Sequence, residues 1–280
     1  MDREPLLPPH LDYLTLRNQR PTSIRARRLA IMRINGQLGG PVADASRADI
    51  EAWQLTLPAF SPGYQHNQIV HLSQYLHWTI RAGHRDDDPT VVIVRPRNVH
   101  QQLPRPMSDA DVGMALLTAP HPERAWIALG AFCGLRCCEI AGMMRDWIRD
   151  DRTPATLDVI GKGAKRRVVP LPDRVLHELY EARIPRRGYC WTRMDGQPGP
   201  PSAVRVSERI NAHLHEQGIN GTAHALRHRF GTVLYRETKD ALLVAQVMGH
   251  ASVDTVRGYI LVDPFDAAAP IELISRLANE

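Results

Sequence analysis

The segment from Arg95 to Pro106 constrains this chain most. It reads Arg95-Pro-Arg-Asn and later Leu103-Pro-Arg-Pro106, with three prolines, three arginines and little hydrophobic periodicity. Proline has no backbone donor, and it pushes the residue before it out of the helical region. A helix cannot run through such a stretch, so it predicts an extended linker and a domain boundary. A length of 280 residues fits one large or two modest domains. The expected division is 1–94, a linker at 95–107, and 108–280.

Before the linker the pattern is helical. The first ten or so residues are proline-rich and predict an irregular lead-in. Thr22 is a candidate cap for a helix reaching about Leu38, where Gly39-Gly40-Pro41 would end it. Ser46 opens a short helix through Trp53. From about Tyr64 to Ala82, Ile69, Leu72, Leu76 and Ile80 recur every three to four residues, with His71, Gln74 and Arg81 on another face. After the linker, Ser108-Asp-Ala-Asp marks a helix start. Helical patterns follow to Ala119 and from Glu123 to about Met143. The period then changes: Ala155–Ile160 and Arg167–Leu171 read as strands joined by the hairpin Gly161-Lys-Gly-Ala-Lys-Arg166. Helical patterns resume at Val175 and recur to the C-terminus. The expected fold is mainly α with a small antiparallel β-sheet, an α+β class, without internal repeats.

Composition removes other classes. Apolar residues make up 43% and charged residues 23%, as in ordinary globular proteins, which excludes a disordered or collagenous chain. The longest charge-free apolar run, Ala125 to Leu135, is well short of the roughly 20 residues of a membrane span. The start, Met1-Asp-Arg-Glu-Pro, shows no secretory signal, so a cytoplasmic, nucleoid-associated location is expected. Cys133, Cys137, Cys138 and Cys190 contain no C-x-x-C pair and read as reduced, mostly buried thiols. Cys133 and Cys137 lie one helical turn apart, which leaves a metal pair open beside simple packing.

The net charge is +5, and residues 1–107 hold 13 arginines against 9 acids. A basic helical unit followed by a basic linker suits a polyanion, although a solvated surface fits the same numbers. Only three lysines occur, Lys162, Lys165 and Lys239; the other 32 cations are arginines. Codon bias accounts for that ratio. Even so, two of the three lysines sit in the hairpin, and lysine can release a proton that arginine holds.

Four stretches carry chemistry: Gly134-Leu-Arg-Cys-Cys-Glu139, Gly161-Lys162 with its hairpin, His224-Ala-Leu-Arg-His228, and Met248-Gly-His250 followed by Tyr259. In this order they resemble the tyrosine recombinase (phage integrase) family, whose signature is Arg, Lys, His-x-x-Arg, His, Tyr. The signature falls on Arg136, Lys162, His224, Arg227, His250 and Tyr259, and its spacing is like that of the Xer branch. The resemblance covers roughly the last 170 residues firmly. It implies a helical core-DNA-binding domain before the linker and a catalytic domain after it.

The implied reaction explains the residue types. Attack on a phosphodiester builds negative charge on the nonbridging oxygens, which the Arg136 and Arg227 guanidiniums would clamp. Preorganised donors of this kind are worth roughly 3 kcal/mol each by analogy with oxyanion holes. His224 is the candidate acceptor of the tyrosine proton. Lys162 is the candidate acid for the 5′-oxygen leaving group, and His250 a further phosphate donor. Glu139 is expected to orient Arg136 or nearby backbone. The resemblance implies a 3′-phosphotyrosine on Tyr259, no cofactor or metal, no ATP, and a homotetramer exchanging strands between two double-stranded DNA sites through a Holliday junction, with accessory or directionality proteins as further partners. Arg25, Arg28 and Lys165 are candidate DNA-backbone contacts, or plain solvated cations. The tail from Leu261 carries Ile271, Leu273, Ile274 and Leu277 at helical spacing and packs either in cis or on a neighbouring subunit.

Each assignment has rivals. His224 and His228 form H-x-x-x-H, but Ala225 stands where the zinc-protease motif has Glu. Tyr180 and Tyr235 are rival nucleophiles inside helical patterns, where packing is expected. Cys133, Cys137-Cys138, Gly258 and Ile260 depart from residues common in the family without removing a catalytic group. With roughly 20 residues before its first helix, the chain reads as a recombinase without an arm-binding domain. A phage or prophage integrase is the first reading and an Xer-like dimer resolvase the second. A DNA-binding protein with vestigial residues, a type IB topoisomerase and a metal-dependent hydrolase are the remaining alternatives.

Overall fold

The computed structural model describes residues 4–95, 106–161, 166–193 and 195–249. The chain divides into two compact units, Met1–Gln101 and Gln102–Glu280.

The first unit is helical. Helix α1 (Leu7–Leu16) stands where the sequence predicted an irregular lead-in. Pro8 and Pro9 fall in its first turn, where a missing N–H leaves no hydrogen bond unmade. Helix α2 (Pro21–Leu38) likewise opens on a proline, with Arg20 as N-cap, so Thr22 lies inside the first turn and does not cap it. Gly39, at φ 76°, ends α2 in the left-handed conformation that suits glycine. Helix α3 (Arg47–Gln54) has a reciprocal cap: Asp49 N–H donates to Ser46 Oγ (3.2 Å) and Ser46 N–H to Asp49 Oδ2 (2.9 Å). Helix α4 (Pro62–Arg81) is capped by Ser61. Ile31, Ile34, Ile50, Trp53, Leu72, Tyr75 and Leu76 form the core between them.

Glu4 and Arg27 are buried in this unit together with His10, and the carboxylate and the guanidinium find separate partners. The Glu4 carboxylate accepts from the Tyr75 hydroxyl (2.6 Å) and the Val42 N–H. The Arg27 guanidinium donates to the His71 carbonyl (2.7 Å) and to Gln74 Oε1.

The second unit is helical around a three-stranded antiparallel sheet, the architecture expected of the sequence. Helix α5 (Asp109–Thr118) starts at the Ser108 cap. Helix α6 (Glu123–Cys133) is buried on nearly every side and packs against α5 and against three later helices, α8 (Asp173–Glu181), α9 (Ala203–Glu216) and α10 (Ala223–Thr238). A helix apolar all round belongs at the centre of a domain. The sequence predicted one helix to Met143, but the chain breaks at Gly134 (φ 62°) and restarts as α7 (Cys137–Ala141). The break separates Cys133 from Cys137 onto different helices, so they do not form a one-turn pair. Cys133 Sγ faces the Pro170 carbonyl at 3.8 Å, whereas Cys137 hydrogen-bonds Ser207.

Strands β1 (Ile148–Arg149), β2 (Thr156–Ile160) and β3 (Arg166–Pro170) lie in the order β1-β2-β3. The register pairs Leu157 with Val169 and Val159 with Arg167, so Arg167 shares the inner face with Val169. Helix α11 (Ala241–Met248) packs Val244, Ala245 and Met248 against Phe230, Leu234 and Tyr235 of α10. No helix among the described residues is long and apolar enough to cross a membrane.

Candidate active site

The candidate site forms where α7, β3, α10 and the end of α11 meet. Glycine 134 fixes its geometry. A side chain there would meet the Phe230 ring, with Cε1 2.8 Å from the Cβ position, and the φ of 62° is itself unfavourable for other residues. The turn places Arg136 at the start of α7 and Glu139 in its first turn. Glu139 Oε2 accepts the Arg136 N–H (2.9 Å), and Glu139 Oε1 accepts from Arg136 Nη1 (3.0 Å).

Glu139 is the hub. Its side chain is 3% exposed, and three guanidiniums surround it. Arg167, 8% exposed, donates from Nη1 to Oε1 and from Nη2 to Oε2, both at 2.8 Å. Arg227, 1% exposed, lies 3.9 Å from Oε2. Burial alone would raise the Glu139 carboxyl. The Arg167 hydrogen bonds, the Arg136 N–H and the charges of Arg167 and Arg227 outweigh it and hold the group below the ordinary carboxylate range.

The C-terminal end of α11 closes the cluster. A helix leaves its last carbonyls without partners inside the helix, and they carry partial negative charge. Here three consecutive carbonyls each meet an arginine. Val247 O accepts from Arg167 Nε (2.8 Å), Met248 O from Arg227 Nη2 (2.6 Å) and Arg136 Nη1 (3.3 Å), and Gly249 O from Arg136 Nη2 (3.2 Å). Arg227 Nη1 also donates to the Gly134 carbonyl.

The two signature arginines are therefore not equivalent. Arg136 is 33% exposed and Arg227 is enclosed. Three guanidiniums share one carboxylate, which leaves excess positive charge among the described residues, and of the three arginines Arg136 is the one that reaches solvent. Such a site suits an anion that presents two adjacent oxygens to a guanidinium, as a carboxylate or a phosphate diester does.

His224 lies on the first turn of α10, which the Thr222 side chain caps, and it is exposed at the surface. Burial of part of the ring, then the charges of Arg227 and Arg136, lowers its pKa below the usual value of 6.5. The ring is therefore neutral at pH 7 and able to accept a proton. His228, one turn on, packs edge-on against it at 4.4 Å between centroids. Burial, His224 and Arg227 push His228 down to about 4. Among the described residues no group of three or more His, Cys, Asp or Glu is placed to hold a metal ion.

Of the residues singled out in the sequence, Arg136, Glu139, His224 and Arg227 come together. Lys162, Lys165, His250, Tyr259 and the tail from Leu261 lie outside the described residues. Arg25 and Arg28 are exposed on α2 in the first unit. Tyr235 is partly buried on α10, as packing required. Tyr180 is exposed instead, and its hydroxyl donates to Asp150 Oδ2 (2.7 Å). Arg167 was missed. Its one sequence signal is an arginine two positions before Val169, on the inward-facing register of the strand Arg166–Pro170.

The model of the phage integrase family matches residues 102–264. A tyrosine recombinase XerC of Xylella fastidiosa (strain M23) is 30% identical over 216 residues, covering 69% of this chain and 70% of that protein. Tyrosine recombinase XerC 2 of Ralstonia nicotianae is 28% identical over 281 residues, covering 89% of this chain and 79% of that protein. Among solved structures, a lambda integrase dimer bound to a COC′ core site superposes with a TM-score of 0.72 at 16% identity, covering 90% of this chain and 75% of that one. At that identity the likeness is one of fold.

Proposed function

The chain belongs to the phage integrase family, and from that premise we propose that it is a site-specific DNA recombinase working through a covalent tyrosine–DNA intermediate. The convergence of Arg136 and Arg227 on Glu139, with a neutral His224 beside the two arginines, carries the reading. A partly exposed guanidinium over a fixed positive base is what an attacked phosphodiester requires.

In the proposed reaction the Tyr259 oxygen forms a bond to the scissile phosphorus, and the bond to the 5′-oxygen breaks. His224 takes the phenolic proton and Lys162 gives one to the departing oxygen. Arg136 binds the nonbridging oxygens directly, Arg227 supplies charge beneath them, and His250 adds a hydrogen bond. The products are a 3′-phosphotyrosine and a free 5′-hydroxyl. The phosphoester bond energy is retained, so a 5′-hydroxyl from a second duplex reverses the step without ATP or metal. Four copies on two DNA sites pass through a Holliday junction. Arg25, Arg28 and Lys165 hold the DNA backbone, which gives affinity and salt dependence and leaves sequence choice to base contacts. The substrate is the DNA of the cell interior.

The decisive experiment uses a nicked suicide duplex carrying the native site. Wild type forms a protein–DNA adduct mapped to Tyr259, with or without chelator, and Tyr259→Phe forms none. An adduct in Tyr259→Phe places the nucleophile elsewhere. Integration between two different attachment sites is the first reading of the biological outcome. Resolution of dimers at two identical sites is the second, favoured by the XerC relatives. Recombination of plasmids bearing each arrangement separates them.

A further inference from the structure

Arg167 is not in the catalytic signature, yet its guanidinium is fully engaged in the site. All three of its nitrogens are used: Nη1 and Nη2 grip both oxygens of Glu139, and Nε holds the Val247 carbonyl, each at 2.8 Å. It is 8% exposed, against 33% for Arg136, so it has no free face to offer DNA. It lies on the inner face of β3, opposite Val159, five positions after Lys162 in the sequence. Its partners lead to the rest of the site. Glu139 holds both the backbone and the guanidinium of Arg136, and Val247 lies three positions before His250. The fit against the α11 end is close: a Cβ on Gly249 would lie 2.9 Å from Arg167 Nη1.

We propose that Arg167 is a positioning residue for strand cleavage, which ties the strand after the lysine hairpin to Glu139, and so to Arg136, and to the end of α11. The inference rests on the recombinase reading above. Without Arg167, Glu139 loses its bidentate partner and Arg136 loses its fixed support. The strand that follows Lys162 loses its tie to the chain that leads to His250. Arg167 touches neither DNA nor Tyr259 in this scheme, so its loss lowers the rate of cleavage and not the hold on DNA. Small displacements of positioned groups cost about 100-fold in rate.

The test measures single-turnover adduct formation on the nicked duplex and, separately, the Kd for the same duplex. Wild type, Arg167→Gln, Arg167→Lys, Glu139→Gln and the Arg167→Gln/Glu139→Gln double variant are compared at temperatures below each one's unfolding transition. Arg167→Gln should cleave about 100-fold more slowly with Kd within about twofold of wild type. Arg167→Lys should recover part of the rate, since it keeps one charged donor. The double variant should be no slower than the slower single variant, because both changes break one connection. Three results overturn the inference: Arg167→Gln cleaving at the wild-type rate, a Kd that weakens in step with the rate, or multiplicative losses in the double variant. If Arg167→Gln does not fold, Arg167→Lys decides alone by the same rate and Kd comparison. Failure of wild type to form any adduct sinks the recombinase reading itself, and is thereby distinguished from failure of the role given to Arg167.

Discussion

The two units of this protein bury arginine on opposite terms. In the first, Arg27 donates to neutral acceptors, the His71 carbonyl and Gln74 Oε1, while the buried carboxylate of Glu4 is satisfied elsewhere by Tyr75 and Val42. Each charge is housed singly and nothing faces outward. In the second, Arg136, Arg167 and Arg227 crowd one carboxylate and three helix-end carbonyls, and Arg136 stays partly open. Burying unbalanced charge costs stability unless a partner compensates it. The first arrangement leaves no guanidinium open to solvent. The second is arranged to be completed by an anion.

The largest expected effect separates the two directly. Arg136→Ala should slow adduct formation by about 100- to 1,000-fold, the scale of a lost transition-state donor. Arg27→Met should leave the single-turnover rate at saturating protein unchanged. A comparable loss in Arg27→Met would break the comparison.

The carboxylates come next. Glu139→Gln removes the shared counter-charge and should destabilise its unit by about 3–5 kcal/mol, because the guanidiniums stay buried. Glu4→Gln should cost only about 1 kcal/mol. The amide oxygen can keep the Val42 N–H, and the amide nitrogen can donate to Tyr75. Hydrogen exchange of each unit's own amides reads the two values, and equal losses would erase the distinction.

Acid should sharpen it. His10, His71 and His228 titrate at about 4 in the folded chain, with burial as the main cause in each, against an ordinary 6.5. Between those values the unfolded chain binds more protons, so stability falls in both units as pH drops through that window. Below the ordinary Glu value of 4.5 the units diverge. Glu139 is depressed, so its contribution is present above 4.5 and is lost as pH falls through its folded value. Glu4 is raised by burial, so its protonation at low pH relieves a cost. Unfolding monitored from pH 7 to 3 should show both units losing stability toward pH 4, with protonation of Glu139 adding a further loss to the second unit alone below 4.5. Cleavage should weaken as pH falls through the His224 pKa, which burial and the charges of Arg227 and Arg136 hold below the usual 6.5.

The smallest effect lies in α2. Gly36 sits in its last turn with open space around its Cβ position. Gly36→Ala should stabilise the first unit by about 0.5–1 kcal/mol, measured as a higher urea midpoint, without altering cleavage.

What the sequence could and could not show follows the range of each cause. The α3 start is a three-residue relationship between Ser46 and Asp49, and it was legible. So were β2 and β3, where the apolar period shortens, whereas the two-residue β1 is too short to leave a periodic signal. Helix α1 was obscured because prolines read as breakers, and only their place in the first turn makes them harmless. The α6–α7 break was hidden because Ala125 to Leu135 is apolar throughout, and periodicity carries no boundary in such a run. The signature located Arg136, His224 and Arg227. It did not reveal that one arginine is open and the other enclosed, since that depends on the end of α11, more than 100 residues from Arg136. Arg167 was invisible for the same reason: its meaning lies in Glu139, 28 positions away.

The Phe230 ring occupies the space beside Gly134 that any other residue would fill. Phe230 belongs to the helix that also carries His224 and Arg227. A methyl group added at position 134 would thus act as a wedge under α10, though it lies some ninety residues earlier in the chain. In a saturation library screened for recombination, position 134 should return a single letter, while its neighbours Cys133 and Leu135 tolerate exchange among residues of similar volume. The hinge between α6 and α7 would then be heritable as one codon.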